Sequence, residues 1–264
     1  MLKGVLHCHS TYSDGDLTLA QLREIFVSAG CRFLCITDHA EYFDAGKTTA
    51  YERECEQHSD DRFRFIAGLE YRCMNGMHVL GYGTTSPIAS IDPEEVFRQI
   101  RLAGGVAVIA HPRDDAFAWI ETFEMLPDGI ETWNSKYDGR YAPRPGTFAL
   151  LGRLKARRPS MTAFYGQDLH WRNQYRGLFT MAECEAADRA SVLRALGRGD
   201  YVGVKDDLRL PSSGELDPDL LEQFARAHSR SRVLRRWIGR VKAASDRIGL
   251  AVPAAMKAQL RRIF

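Results

Sequence analysis

The chain has 264 residues, a formal net charge of +2 at pH 7, 45% hydrophobic residues and 27% charged residues. These values are typical of a folded globular protein and exclude a largely disordered one. The longest apolar run, at residues 106–110, is too short to cross a bilayer, and the first residues lack the pattern of a secretory signal. None of the six cysteines forms a CxxC pair. We therefore expect a cytoplasmic protein with reduced thiols and no transmembrane segment.

Apolar segments predict seven β-strands, at residues 4–6, 32–37, 64–69, 78–82, 106–110, 129–133 and 161–165. Helix-start signals stand between them at Thr18, where Gln21 can complete a capping box, and at the Asp92-Pro93 pair. Further helices are expected at residues 145–157 and 188–199. Strands that alternate with helices predict a parallel sheet, either open or closed into a barrel.

The C-terminal part of the chain differs from the rest in charge. Residues 226–264 contain eleven Lys or Arg and one acidic residue, whereas the preceding residues contain 25 basic and 33 acidic ones. A Pro- and Gly-containing linker at residues 211–214 separates an expected first domain, residues 1–210, from a basic helical extension, residues 211–264. We favour packing of the apolar helical stripe of this extension on the first domain. Binding of nucleic acid and contact with an anionic membrane surface are the alternatives.

Histidines and acidic residues recur at the ends of the predicted strands. His7 and His9 end the first strand, where residues two apart should face the same way. Asp14 follows in a turn, and His111 ends the fifth strand. The other residues of this kind are His39, Glu70, His78, Asp168 and His170. Active-site groups of barrel enzymes lie at the carboxyl ends of several strands. Since buried imidazoles and carboxylates are costly without partners, we interpret these nine residues as the ligands of a metal cluster.

These motifs resemble those of the PHP (polymerase and histidinol phosphatase) family of metal-dependent phosphoesterases, over roughly residues 1–205. The resemblance rests on HxH at residues 7–9, TDH at residues 37–39 and DLH at residues 168–170. It implies an α/β fold, a distorted TIM-like (β/α)7 barrel, here followed by the C-terminal helical extension. It also implies two or three divalent ions, and the absence of cysteine ligands suits Zn, Mn or Fe.

The resemblance further implies how the ligands are shared. His7, His9, Glu70 and Asp168 would hold one ion, and Glu70 would bridge to a second ion held by His78 and His111. A third ion would be held by Asp14, His39 and His170. The residues expected to act in catalysis are Glu70, His39, Asp168 and His170.

The expected activity is hydrolysis of a small phosphomonoester by a hydroxide that bridges metal ions at a di- or trinuclear site. The basic residues that could bind the substrate phosphate are Arg113, Lys136, Arg140 and Arg144. Asp38 could support a ligand histidine or cap a helix, and Trp171 could form a wall of the pocket or pack. The alternatives are a nuclease or nucleotide phosphodiesterase, an amidohydrolase, which also begins with HxH on a barrel strand, and a non-catalytic module stabilised by metal.

Overall fold

A computed structural model of the chain describes residues 1–139 and 142–229. Arg140 and residues 230–264, which make up most of the expected basic extension, lie outside the described residues. The interpretations of the C-terminal segment therefore stay predictions. Within the described ranges, no helix combines the length and the apolar character needed to cross a membrane. All six cysteines are free thiols.

Ten strands in the described residues form one sheet in the order β10-β9-β8-β1-β2-β3-β4-β5-β6-β7. They are β1 Leu2–Leu6, β2 Phe33–His39, β3 Arg64–Arg72, β4 His78–Tyr82, β5 Val106–Ala110, β6 Gly129–Asn134, β7 Thr162–Gly166, β8 Leu178–Ala182, β9 Tyr201–Lys205 and β10 Leu208–Pro211. The chain after β7 returns to β1, where the Asp168 N–H donates to the His7 carbonyl at 2.7 Å. The Ala163 N–H of β7 also donates to the Ser212 carbonyl just after β10, at 2.7 Å. The sheet thus closes almost completely, which confirms the expected TIM-like barrel.

The helices pack around this sheet. They are α1 Leu19–Ser28, α2 Ala45–Gln57, α3 Pro93–Leu102, α4 Phe117–Ile120, α5 Pro145–Lys155 and α6 Arg189–Arg198, and residues 218–229 are also helical. The expected capping box is confirmed, since Thr18 Oγ1 accepts from the Gln21 N–H at 3.3 Å and Gln21 Oε1 accepts from the Thr18 N–H at 3.0 Å. Asp92 accepts from the Glu94 N–H at 3.2 Å at the start of α3. Local patterns therefore predict these helix starts well.

Local patterns in the sequence did not predict five elements: the helices α2 and α4 and the strands β8, β9 and β10. Helix α2 is polar, with Tyr51 and Cys55 as its buried residues, so its apolar periodicity is weak. The last three strands pair antiparallel and bury alternate residues, whereas the sequence analysis expected helices to follow the seventh strand.

The sheet is mixed rather than wholly parallel, which corrects the expectation from the sequence. Strand β4 runs antiparallel to both β3 and β5. The connection from β3 to β4 spans residues 73–77, and a parallel pair would need a crossover of a dozen residues or more. Because β4 is reversed, its first residue, His78, lies beside Arg72 near the carboxyl end of β3 and beside Ala110 at the carboxyl end of β5. Because of this reversal, His78 lies at the start of its strand and still stands beside the candidate ligands that end the neighbouring strands.

Candidate metal centre

The structure brings all nine predicted ligands together at the carboxyl edge of the barrel. Their side chains form four overlapping groups, and the possible ligand atoms of each group lie within 4.8 Å of one another. The groups are His9, Asp14, His39 and His170; His7, His9 and Asp168; His7, Glu70 and His111; and His39, Glu70 and His78. We call these nine residues the cluster. The family resemblance implies that only Glu70 is shared between two ions. In the structure, His7, His9 and His39 also each belong to two of these groups.

Glu70 stands at the centre of the cluster with its side chain buried. Its Oε1 lies 2.7 Å from His78 Nδ1 and 3.2 Å from His111 Nε2. Its Oε2 faces a different set of imidazoles, at 3.1 Å from His9 Nε2, 3.2 Å from His7 Nε2 and 3.7 Å from His39 Nδ1. A carboxylate whose two oxygens face separate groups of donors has the geometry of a bridging ligand.

Asp168 and Asp14 carry the other carboxylates of the cluster. Asp168 is buried, and its Oδ1 lies 3.2 Å from His170 Nδ1 and 3.6 Å from His9 Nε2. Asp14 lies in the loop after β1 with 40% of its side chain exposed, and its Oδ2 is 3.3 Å from His170 Nε2. The cluster is therefore open to solvent on the side of Asp14.

Three of the candidate ligands have a left-handed backbone. The φ angles are 62° at His7, 28° at His111 and 51° at Asp168. Non-glycine residues rarely adopt this conformation, and it concentrates at functional sites where the surrounding structure enforces it. The finding also corrects the expectation that an extended HxH segment aims both imidazoles, since His7 has already left the strand conformation. The turn at His7 and the strand-like bridge at Cys8 together bring the rings of His7 and His9 to 5.2 Å.

Several buried cluster atoms form no hydrogen bond with the described residues. They are both ring nitrogens of His9 and Nδ1 of His39, and His9 Nε2 lacks a hydrogen bond of suitable geometry although it lies 3.1 Å from Glu70 Oε2. Burial lowers the pKa of His9 to about 3, so this imidazole stays neutral and keeps a lone pair for a ligand. A metal ion would satisfy such atoms, because histidine binds metals in its neutral form.

The carboxylates of the cluster are held in the charged form. Burial by itself would raise the pKa of Glu70, but the neighbouring histidines His7, His111 and His78 hold it well below its usual range. The pKa of Asp168 is likewise held well below its usual range, because His7 and His170 outweigh the effect of burial. Burial by itself would lower the pKa of His7 and His111, but the neighbouring carboxylates raise it, so a bound metal ion would displace a proton from each of these imidazoles. Imidazoles and ionised carboxylates together form a donor set that fits a divalent cation such as Zn, Mn or Fe. The residues present therefore fit the metal cluster that the sequence predicts.

Glu131, which the sequence analysis missed, supports the cluster from beneath. It is fully buried in β6, and its Oε1 lies 2.8 Å from His7 Nδ1. Its Oε2 accepts from the His111 N–H at 2.8 Å and from Asn134 Nδ2 at 2.9 Å. A Cβ at Gly166 would fall 1.7 Å from Glu131 Oε1, so this approach requires glycine. A partner on the second ring nitrogen fixes the orientation and tautomer of a ligand histidine. The feature of the sequence that could have identified Glu131 is its position as the one carboxylate inside the apolar segment GIETWN.

Asp38 organises the loop that carries Asp14. Its carboxylate accepts from the Ser10 N–H and the Ser10 hydroxyl, both at 2.8 Å, and from the Ser13 hydroxyl at 2.6 Å. These contacts differ from both roles considered from the sequence, because they are made to a loop rather than to a ligand histidine or a helix start. Burial raises the pKa of Asp38.

The predicted phosphate-binding residues divide into two groups. Lys136 Nζ lies 3.1 Å from Asp168 Oδ1 and 3.3 Å from His170 Nδ1, so the structure brings this residue to the cluster. The Arg113 guanidinium is exposed and pairs with Asp115. The Arg144 guanidinium donates to Asp138 and Asp114 and to the Pro112 carbonyl. Arg113 and Arg144 thus direct their donors to neighbouring loop residues rather than to the cluster. The sequence could not predict these partners. Arg140 lies outside the described residues.

Comparisons with known proteins bear on this site. The family model of the PHP domain matches residues 6–110, a range that contains the cluster residues from His7 to His78. Among the solved structures, a two-domain protein from Bacteroides vulgatus ATCC 8482 that contains a predicted PHP-like metal-dependent phosphoesterase superposes with a TM-score of 0.58 at 19% identity. The superposition covers 85% of this chain and 69% of that one. PsfC from Pseudomonas syringae PB-5123 superposes with a TM-score of 0.54 at 15% identity, covering 87% of this chain and 98% of that one.

A curated relative matches part of the chain in sequence. The DNA polymerase/3'-5' exonuclease PolX of Bacillus subtilis (strain 168) is 31% identical over 77 residues, or 26% of this chain. The chain spans 14% of the length of that relative. Together these matches confirm the resemblance to the PHP family, and the solved structures show a shared fold.

Proposed function

We propose that this protein is a metal-dependent phosphoesterase that hydrolyses a small phosphomonoester. The observation that carries the proposal is the cluster, in which nine imidazole and carboxylate side chains converge around the two oxygens of Glu70. This donor set would hold two or three divalent ions. Bound ions would neutralise the charge of a phosphate ester and activate water for attack on phosphorus.

The chain's own residues would divide the work as follows. Glu70 would keep two neighbouring ions at a fixed separation, since its two oxygens face different histidines. His39, Asp168 and His170 would complete the reactive side of the site, close to the opening at Asp14. The Lys136 ammonium, which lies 3.1 Å from Asp168 Oδ1, would contact a phosphate oxygen.

A monoester is the favoured substrate because of charge. A terminal phosphate carries a charge between −1.5 and −2 at neutral pH, whereas a diester carries one negative charge. The Asp168 carboxylate outweighs the effect of burial and raises the pKa of Lys136, so its ammonium is a permanent positive charge beside the cluster. That additional charge suits the more anionic ester.

The test is elemental analysis of purified full-length protein never exposed to a chelator, followed by a phosphate-release screen of small metabolites. We expect at least two equivalents of divalent transition metal and turnover of a phosphomonoester. Less than one equivalent of metal would contradict the proposal that the cluster binds divalent ions. Bound metal without turnover of any ester would instead favour the non-catalytic module.

A second candidate, a nuclease, is favoured by the match to PolX and by the eleven basic residues within residues 226–264. Its test is oligonucleotide binding as a function of salt, with the full chain and with a chain that lacks residues 230–264. If the basic segment holds nucleic acid, the affinity should fall with a log–log slope approaching about −0.7 per neutralised phosphate of a single strand. The loss of oligonucleotide binding in the shortened chain, with small-ester turnover retained, would shift the function to a nuclease.

A further inference from the structure

Three large aromatic side chains are exposed in the described part of the chain, and all three stand beside the cluster. Tyr42, Tyr137 and Trp171 have 47%, 51% and 47% of their surface exposed. Each contacts a different candidate ligand, with ring centroids 6.4 Å apart for Tyr42 and His39, 4.6 Å for Tyr137 and His111, and 5.8 Å for Trp171 and His170. We call these three aromatic residues the rim.

The rim residues come from three separate loops. Tyr42 follows β2, Tyr137 follows β6 and Trp171 follows β7. A single exposed aromatic residue needs no special explanation. Three such rings are exposed around one cluster, while the other described aromatic side chains are at least partly buried. This distribution indicates a surface that meets an apolar partner.

The rings are tilted against the cluster histidines and lie near two lysines. The interplanar angles with the histidines are 32° for Tyr42 and 46° for both Tyr137 and Trp171. Lys47 Nζ lies 5.7 Å from the centroid of Tyr42, and Lys136 Nζ lies 5.1 Å from that of Tyr137. A planar group on the rim would thus lie next to the cluster and near the Lys47 and Lys136 ammonium groups, as suits the organic part of an anionic ester.

We propose that the rim selects phosphate esters whose alcohol carries a planar ring system, such as a nucleoside or an aryl alcohol. This inference rests on the proposed function and names the substrate class of the same site. An aromatic side chain stacks on the π-face of any base or aryl group. A sugar phosphate without a planar ring system would reach the same ions, but it would make no stacking contact with the rim.

The experiment compares adenosine 5'-monophosphate with ribose 5-phosphate, which carries the same phosphorylated sugar with a hydroxyl in place of the base. With full-length, metal-loaded protein we expect kcat/KM to be about tenfold or more higher for the nucleotide, as stacking on an aromatic side chain implies. Leucine substitutions of the rim residues should lower this ratio about fivefold or more, whereas Tyr137→Phe and Trp171→Phe should preserve it. Leu102→Ala, at a residue of α3 that is 74% exposed, is the matched control and should leave the ratio unchanged.

Phenyl phosphate separates the two sources of a planar ring. If phenyl phosphate is hydrolysed as efficiently as the nucleotide, the rim selects a simple aryl group, and a marked preference for the nucleotide indicates a base. Both results agree with selection by the rim. Equal kcat/KM for the nucleotide and ribose 5-phosphate, with no effect of the leucine substitutions, would overturn the proposed selection.

Calorimetric affinities for the same two ligands keep the inference separate from the proposed function. Tighter binding of the nucleotide that disappears in the leucine variants, without release of phosphate from any ester, would support the rim and contradict the phosphatase.

Discussion

Glu131 contacts the cluster at two points, one side chain and one backbone amide. Its oxygens lie 2.8 Å from His7 Nδ1 and 2.8 Å from the His111 N–H. Both of these histidines have a left-handed backbone, so a single carboxylate stabilises two strained positions. At the scale of single residues, the cluster therefore depends on a buried group that is not itself a candidate ligand.

Glu131→Gln should weaken metal binding without unfolding the barrel. The amide is nearly isosteric but lacks the negative charge that orients His7, and loss of such a partner typically costs about 10–100-fold in metal affinity. The measurement is calorimetric titration of metal into chelator-treated protein, with circular dichroism to confirm the fold. Glu121→Gln, at a partly exposed residue paired with Arg153, is the control. If the Glu131→Gln protein bound metal with unchanged affinity, Glu131 would not support metal binding.

Glu70→Gln should cost at least one equivalent of bound metal and abolish phosphate release. Glutamine retains the volume but offers one oxygen and an uncharged NH2 group where two charged oxygens now face five histidines. Elemental analysis and a phosphate-release assay check this, and Glu56→Gln, at an exposed residue paired with Arg64, is the matched control. Near-normal turnover by a folded Glu70→Gln protein would exclude the bridging role.

Gly199 shows how the elements are joined. It ends α6 in the left-handed conformation with φ at 78°, and a Cβ there would come within 2.9 Å of Thr162 Cγ2 in β7. Glycine is favoured at this position both by the backbone angle and by the close approach of a barrel strand. Gly152, in the middle of α5, has no atom within 4 Å of a Cβ position.

The two glycines should respond to alanine with opposite signs. Gly199→Ala should lower the free energy of unfolding by about 1 kcal/mol or more, because alanine resists a positive φ. Gly152→Ala should raise it by about 0.5–1 kcal/mol, because alanine has the higher helix propensity. Urea denaturation of both variants checks the pair. A stabilised Gly199→Ala protein would contradict the close packing of α6 on the barrel.

For the whole molecule, the cluster joins distant parts of the chain. Its nine residues are spread from His7 to His170 and lie at the ends of strands around the barrel. Ions held among them would connect β1, β2, β3, β4 and β5 with the segment after β7. Because such a site exists in the folded state, the binding free energy adds to the free energy of unfolding.

Removal of metal should therefore lower the Tm, and readdition should restore it. A free ion at 100 times its Kd stabilises the fold by about 2.7 kcal/mol. Thermal unfolding with and without chelator, then with Zn, Mn or Fe restored, measures the effect. The Glu70→Gln protein should show a smaller shift than the unaltered chain. The same Tm under all conditions would mean that the cluster binds no ion tightly.

Local patterns in the sequence determined the candidate ligands and many element boundaries. All nine candidate ligands were identified at or near the ends of predicted strands, because imidazoles and carboxylates stand out against apolar strands. The helix starts at Thr18 and Asp92 followed from capping chemistry, which involves neighbours only a few residues apart. Residues close together along the chain carry this kind of information.

Only the tertiary structure decided the contacts between distant residues. The reversal of β4, the partnership of Glu131 with His7, the left-handed turn at His7 and the placement of Lys136 beside Asp168 all depend on strand pairing. Arg113 and Lys136 look alike in sequence, as basic residues after a strand, yet one pairs with Asp115 and the other joins the cluster. The physical reason is that the direction of a side chain in a loop depends on partners contributed by other strands, which no local pattern contains.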